Sequence, residues 1–210
     1  MLSHVRTPAF VVVLLAGLGA CGDTAAPHGA NLMSLSHSEY GACGRGETQL
    51  RCWGSLGVLT GGTSASTPVL PSPPINGLEV VRNSPFDESG CGLDDSGALF
   101  CWGFNGSAYH AVAPGLRFTD IGLGNGFQCA LAASGTVYCW GSPYGSGIPE
   151  DSPAIVDCQV GYNNYPCVPQ PTPIASTEKF KAIASGWFHT CAIAQSGQVF
   201  CWGSGALGAG

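Results

Sequence analysis

The chain has 210 residues, of which 32 are Gly, 15 are Pro and 11 are Cys, and its thirteen acidic and seven basic residues give a formal net charge of −6. So few basic residues exclude nucleic acid as a partner, because affinity for a phosphate backbone depends on Lys and Arg. Beyond residue 20, the longest stretch without Gly or Pro is Ile174–Ser185, about the length of one average helix. The composition therefore predicts an all-β protein of short strands and turns.

Residues 1–20 have the pattern of an export signal. Arg6 precedes the apolar run Phe10–Ala20, which is too short to cross a membrane as a helix. The segment Leu18-Gly-Ala-Cys21 resembles a bacterial lipobox, in which Cys21 is acylated and becomes the mature N-terminus. The alternative is plain secretion, with Cys21 as one more thiol. Residues 21–34 would then be a lipidated tether, and residues 35–210 would form the exported domain, in a compartment where disulfides persist.

Four segments of this domain repeat, each with two cysteines and each ending in Cys-Trp-Gly. They are Cys43–Gly54, Cys91–Gly103, Cys129–Gly141 and Cys191–Gly203. The last three align without gaps and share six identical positions, whereas the first is one residue shorter and has Arg51 where the others have an aromatic residue. Repeats of several strands at intervals of roughly 40–50 residues are typical of propellers and similar arrays.

Each repeat is predicted to be a β-hairpin closed by its own disulfide. In the last repeat, a three-residue loop, Gln195–Gly197, with Gly197 in the left-handed conformation, places Cys191 opposite Cys201. Directly opposed residues of antiparallel strands are close enough to form a bridge. The same reasoning, with a two-residue loop at Glu47-Thr48 in the first repeat, predicts three further pairs: Cys43 with Cys52, Cys91 with Cys101, and Cys129 with Cys139.

The alternation of side chains gives each hairpin two apolar faces. In the last repeat, one face carries Cys191, Ile193, Val199 and Cys201, and the opposite face carries Phe200 and Trp202. A blade that is packed between two neighbours requires this pattern.

A Pro-rich insertion, residues 142–177, separates the third and fourth repeats. It contains Cys158 and Cys167, which we predict to form a fifth bridge, and it supplies the candidate partner-binding residues Tyr144, Tyr162 and Tyr165. Insertions in repeat arrays often emerge on the binding face. Two interpretations are open from the sequence, namely a partner-binding loop and a spacer without a specific partner.

The segment Ile183-Ala-Ser-Gly-Trp-Phe-His-Thr-Cys-Ala-Ile193, followed by Gly197-Gln-Val-Phe-Cys-Trp-Gly203, resembles the regulator of chromosome condensation repeat, in the cysteine-rich form of bacterial lipoproteins. The resemblance covers roughly residues 35–210. It implies a β-propeller that binds proteins, with seven blades in family members of full length, so that about four blades make this array incomplete. It also implies that His189 has a structural, hydrogen-bonding role.

Other motifs give no catalytic or cofactor site. Zinc sites usually use cysteines two to four residues apart, whereas these spacings are nine or ten. Asp94 and Asp95 fall at a predicted hairpin turn, and no helix-forming segment follows Gly122–Gly126 to hold a phosphate. We therefore expect neither an enzyme nor a bound cofactor or metal.

The expected function is that of an exported, non-catalytic protein-binding scaffold. It would be anchored through Cys21 at the outer membrane or cell surface, with its protein partner unknown. Three alternatives are an inhibitor of a secreted or periplasmic hydrolase, a truncated nonfunctional fragment, and a guanine-nucleotide exchange factor, the last disfavoured by export and acidity. An unpaired blade edge would offer a site for self-association.

Overall fold

A computed structural model describes residues 34–37, 41–45, 50–54, 65–69, 77–84, 89–103, 109–160 and 163–204. These residues form strands and turns, without a helix, and so contain no helical segment able to cross a membrane. The predicted signal peptide, the lipid-attachment residue Cys21 and the candidate residue Tyr162 lie outside the described residues.

The strands form four antiparallel sheets that follow one another along the chain. The first sheet contains β1 (Ser34–His37), β2 (Gly41–Arg45), β3 (Leu50–Gly54) and β4 (Ala65–Val69). The second contains β5 (Leu78–Asn83), β6 (Gly90–Asp94), β7 (Leu99–Trp102) and β8 (His110–Val112). In both sheets the strand order follows the sequence, so each is a simple meander.

The third sheet includes part of the insertion. It contains β9 (Phe118–Leu123), β10 (Phe127–Ala132), β11 (Val137–Gly141), β12 (Val156–Val160) and β13 (Asn163–Pro173), in the order β12-β13-β11-β10-β9. The fourth contains β14 (Phe180–Ser185), β15 (His189–Ala194) and β16 (Val199–Gly203). Part of the insertion is thus β-structure, because β13 pairs with β11 and is the fourth strand of the third blade.

The four hairpins have the predicted register. Cys43 lies opposite Cys52, Cys91 opposite Cys101, Cys129 opposite Cys139, and Cys191 opposite Cys201. In each pair the Cα atoms are 4.1 Å apart and the sulfurs are bonded. The last turn also has the predicted form, since Gly197 has φ +94° and Ala194 N–H donates to Gln198 O at 2.8 Å. The loop at Glu47-Thr48 lies outside the described residues.

Successive sheets pack face to face, and one rule holds for all three interfaces. The disulfide face of each sheet packs against the Trp-bearing face of the next sheet. The three interfaces are formed by Cys43 and Cys52 with Trp102, by Cys91 and Cys101 with Trp140, and by Cys129 and Cys139 with Trp202. The first strands of the sheets, β1, β5, β9 and β14, contact one another in turn. This radial arrangement is the geometry of a β-propeller, and the all-β, disulfide-linked array predicted from the sequence is confirmed.

The fourth sheet ends the series with an apolar face that no other described sheet covers. Its Trp face packs inward, but Ile193 and Val199, beside the Cys191–Cys201 disulfide, are exposed, and Val199 has 59% of its surface accessible. The described array is therefore open on this side, as the count of four repeats predicts.

Candidate functional site

An open groove of about 1100 Å³ runs between the second sheet and the insertion hairpin. One wall is β8 with the adjoining Ala113 and Pro114, and the other wall is formed by Cys158 and Gln159 of β12 and by residues 165–171 of β13. The floor is the Trp140-bearing face of the third sheet, where Gln128 also lies. Among its described lining residues there is no Asp, Glu, Lys or Arg. The groove therefore offers apolar and hydrogen-bonding groups without a formal charge.

Three exposed aromatic side chains stand along this groove. Tyr144 has 61% of its surface accessible, Tyr165 has 52%, and Phe188 has 41%. Trp187 is also exposed and stacks on Phe188, with ring centroids 5.8 Å apart. Exposed aromatic side chains that cluster in a concave region mark binding sites, because they provide a large contact area with few torsions to immobilise.

The turns at this end of the array hold the aromatic residues in place. Gly145 has φ +88°, and a Cβ atom there would meet the Phe188 backbone, so glycine allows the Tyr144 turn to approach the β14–β15 turn closely. Ser146 Oγ donates to Pro143 O at 2.8 Å within the same turn. Asn125 N–H donates to Trp187 O at 3.0 Å, which ties the β9–β10 turn to the β14–β15 turn. The positions of Tyr144 and Phe188 are thus fixed by backbone contacts between the third and fourth sheets.

Tyr109 supports the β8 wall from behind. Its ring stacks on Phe100, with centroids 5.2 Å apart and planes 7° from parallel. Burial, with a smaller contribution from the negative charge of Asp94, raises the pKa of Tyr109 to about 12. Tyr109 is therefore neutral at physiological pH and adds no charge behind this wall.

The predicted candidates Tyr144 and Tyr165 both lie at the groove. Trp187, Phe188 and Gln128 were not predicted as site residues. The signal for the first two was available, because Gly186-Trp187-Phe188 aligns with Gly124-Asn125-Gly126 of the preceding repeat, so two large aromatic residues replace small or polar residues at a turn. The sequence gives a weaker signal for Gln128, because that residue can be selected only when the turn that borders the groove is known.

The other residues weighed from the sequence have structural positions. Asp94 and Asp95 lie at the β6–β7 turn, where Asp94 Oδ1 accepts hydrogen bonds from the N–H groups of Ser96 and Ala98. The His189 ring lies against Gly186, whose N–H donates to His189 O at 2.8 Å. Within the described ranges, no three potential ligands among His, Cys, Asp and Glu are grouped as a metal site.

The fold is that of a disulfide-linked, RCC1-type propeller array, and an open groove lies between its second and third sheets. The sequence profile described as "Regulator of chromosome condensation (RCC1) repeat" matches residues 180–209. This match supports the RCC1 repeat family that the Cys-Trp-Gly repeats resemble.

Solved structures share this fold. Prp20p from Saccharomyces cerevisiae superposes with a TM-score of 0.70 at 20% identity, over 83% of this chain and 46% of that one. Human WBSCR16 superposes with a TM-score of 0.62 at 15% identity, over 83% and 48%. The ectodomain of the Arabidopsis thaliana receptor kinase ACR4 gives 0.54 at 24% identity, over 85% and 58%. The chain thus spans about half the length of these propellers.

Proposed function

We propose that this protein is an exported, lipid-anchored, non-catalytic scaffold that binds another protein through the groove between β8 and the insertion hairpin. The observation that carries the proposal is the set of exposed aromatic residues, Tyr144, Tyr165 and Phe188, around a cleft whose described lining residues carry no formal charge. An RCC1-type propeller suggests a protein-binding scaffold, since Prp20p, which has this fold, binds Gsp1p and histones.

Export is supported by the five cysteine pairs within disulfide reach. The fifth, Cys158 with Cys167, has its Cα atoms 5.7 Å apart. Disulfides persist in oxidising compartments and are rare in the cytosol. The ACR4 structure shows that the fold occurs in an ectodomain.

Anchoring through Cys21 is tested by metabolic labelling with palmitate. We expect label on the protein, and we expect Cys21→Ser to lose both the label and membrane association. An unlabelled protein, or a Cys21→Ser variant that stays membrane-bound, contradicts the anchor. This test is independent of the groove.

Protein binding is tested with a photo-crosslinking amino acid at position 188, in cells that produce the chain natively. The matched control is the same crosslinker at exposed Ser134, in the β10–β11 turn. We expect position 188 to capture one specific protein, Tyr165→Ala to reduce that adduct several-fold, and position 134 to capture none of it. Equal adducts from both positions, or none from position 188, contradict the proposed function.

Inhibition of a secreted or periplasmic hydrolase is a second candidate function, because an exposed aromatic patch is also the surface that an inhibitor presents. The crosslinking experiment separates the two. If the captured protein is a hydrolase, and if the purified scaffold lowers its activity while Tyr144→Ala and Tyr165→Ala do not, the inhibitor function is the correct one. If the captured protein keeps its full activity, the chain is a scaffold.

We propose that self-association occurs through the open face of the fourth sheet. The equivalent faces of the first three sheets are each covered by a Trp-bearing face, and the first sheet of a second copy offers one at Trp53. A second copy is thus the occupant of matching shape. Light scattering should show concentration-dependent dimers that Val199→Lys removes, whereas a monomer at all concentrations contradicts this proposal.

A further inference from the structure

Gln128 is a buried amide whose donor has no partner. It lies on β10 opposite Trp140, has 2% of its surface accessible, and lines the floor of the groove. Among the described residues its Nε2 group has no hydrogen-bond partner. An unsatisfied buried donor is unfavourable for folding, so each one calls for an explanation. The other unpartnered buried atoms, Asn83 Oδ1, Trp102 Nε1 and Trp202 Nε1, do not line the groove, whereas Gln128 does.

The other repeats show that the fold does not require this amide. The residue opposite the repeat Trp is Ala42 in the first sheet, Gly90 in the second and Thr190 in the fourth. Thr190 is polar but satisfied, since its hydroxyl is 2.9 Å from Ser185 Oγ and donates to Gly145 O at 3.4 Å. The unpartnered amide therefore occurs at the position that borders the groove, whereas its equivalents are small or hydrogen-bonded.

The two walls of the groove differ in the backbone hydrogen-bonding groups that they can offer to an extended ligand. β8 is the outermost of the described strands in the second sheet, and an edge strand can accept an additional strand. The opposite wall includes Pro166, Pro169 and Pro171, which have no N–H group and so cannot donate to a strand ladder. An extended chain in the groove would consequently pair with β8.

We infer that the groove binds an extended, uncharged peptide segment of the partner. The segment lies along β8, one of its backbone C=O groups accepts a hydrogen bond from Gln128 Nε2, and its side chains contact Tyr144, Tyr165 and Phe188. The absence of Asp, Glu, Lys and Arg from the described lining selects against charged side chains, which would lose hydration without gaining a counter-charge. This inference depends on the proposed function and specifies its ligand.

The experiment is a selection of dodecapeptides from an unbiased display library on the oxidised full chain. We expect the selected peptides to be depleted of Asp, Glu, Lys and Arg. For a synthetic copy of the strongest binder, Gln128→Leu should weaken affinity roughly tenfold or more, because the peptide carbonyl then remains unsatisfied. The matched control is Gln195→Leu, which makes the same change at an exposed turn residue outside the groove lining and should leave the affinity within about twofold.

A second measurement needs no protein variant. N-methylation of the peptide backbone, one position at a time, removes single N–H donors. Pairing with β8 predicts that affinity falls at alternate positions, because every second residue of an added strand points its N–H toward the edge. Equal effects at all positions, or none, contradict strand addition.

The outcomes separate this inference from the proposed function. Selection of charged peptides, failure to select any, or wild-type affinity in Gln128→Leu overturns the peptide inference, while protein capture at position 188 would still stand. Loss of protein capture at position 188 overturns the proposed function and the inference with it. Since the Gln128 donor has no partner among the described residues, Gln128→Leu should also unfold at a denaturant concentration equal to or above that of the wild type.

Discussion

Asp120 and Ile183 join the third and fourth sheets through a hydrogen bond, in which Ile183 N–H donates to Asp120 Oδ2 at 3.2 Å. The other carboxylate oxygen accepts from Ile121 N–H at 3.0 Å and lies 3.8 Å from Arg82 Nη2 of the second sheet. One carboxylate thus contacts three successive sheets near their first strands. The equivalent position holds Val80 in the second sheet and Ala182 in the fourth, so this link is particular to the third repeat.

The Asp120 link predicts a loss of stability on substitution. Asp120→Ala should lower the free energy of unfolding by about 1–2 kcal/mol, because the Ile183 N–H loses its acceptor. Chemical denaturation followed by tryptophan fluorescence measures the change. Asp151→Ala, at an exposed turn, is the control and should change stability by less than about 0.5 kcal/mol. Equal effects of the two substitutions would show that the contact contributes nothing measurable.

Tyr109 predicts a stability change at alkaline pH. Its pKa is raised from 10.0 to about 12 in the folded protein, chiefly by burial and further by Asp94. The folded state therefore holds this proton more tightly than the unfolded state does. The contribution of this proton to the free energy of unfolding is complete below pH 10 and is lost as the pH rises toward 12.

The measurement is a titration of tyrosinate absorbance together with denaturation curves across the same pH range. Tyr109→Phe should remove the late-titrating tyrosine and flatten the alkaline fall in stability. If Tyr109→Phe leaves both curves unchanged, the assignment of the shifted group is wrong.

The close contact between Gly90 and Trp102 predicts a loss of stability when Gly90 is substituted. A Cβ atom at Gly90 would lie 2.5 Å from Trp102 Cζ2, and Trp102 is fully buried. Gly90→Ala should destabilise the fold by about 1–3 kcal/mol through overpacking, and should alter the near-ultraviolet circular dichroism of tryptophan. Gly197→Ala is the comparison, since a Cβ there meets no atom within 4 Å but the φ is +94°. Gly197→Ala should lower stability through backbone strain alone and leave the tryptophan circular dichroism unchanged. An equal change of that signal in both variants would contradict the contact between Gly90 and Trp102.

The five bridges should contribute unequally. Cys129 and Cys139 are buried between the third and fourth sheets, and their replacement by Ala should lower the free energy of unfolding by at least roughly 2–3 kcal/mol. Cys158 and Cys167 lie in the groove wall, so their replacement should weaken peptide binding more than global stability. Differential scanning calorimetry and peptide titration give the two quantities. A thiol assay of the unreduced, denatured wild type supplies the control, and free thiols from any of the five pairs would contradict the pairing.

The hairpins could be predicted from sequence because their determinants are local. The spacing of Cys191 and Cys201 around Ser196-Gly197 fixes the turn, and the turn fixes which residues oppose each other. The strand character of residues 163–173 could not be predicted in the same way. That segment is rich in Pro, which resembles a loop, and it is extended because it pairs with β11, where Thr172 lies opposite Cys139. This pairing joins residues that are far apart in the chain.

The candidate site could also be predicted only in part, because some of its residues are brought together by long-range contacts. Tyr144 and Tyr165 could be chosen from the sequence because they lie in the insertion. Phe188 and Gln128 belong to the repeats, where an aromatic residue or an amide suggests packing rather than binding. The contribution to binding that we propose for them depends on the groove, which exists only once β8 of one blade and β13 of the next lie side by side.

Hydrogen–deuterium exchange with and without the selected dodecapeptide tests the central claim most directly. We expect slower exchange on binding in residues 110–113 of the β8 wall and in residues 165–171 of the opposite wall, with the β10–β11 turn at Ala133 and Ser134 unchanged. Protection confined to the exposed face of the fourth sheet, or protection spread evenly over all four blades, would contradict binding in the groove.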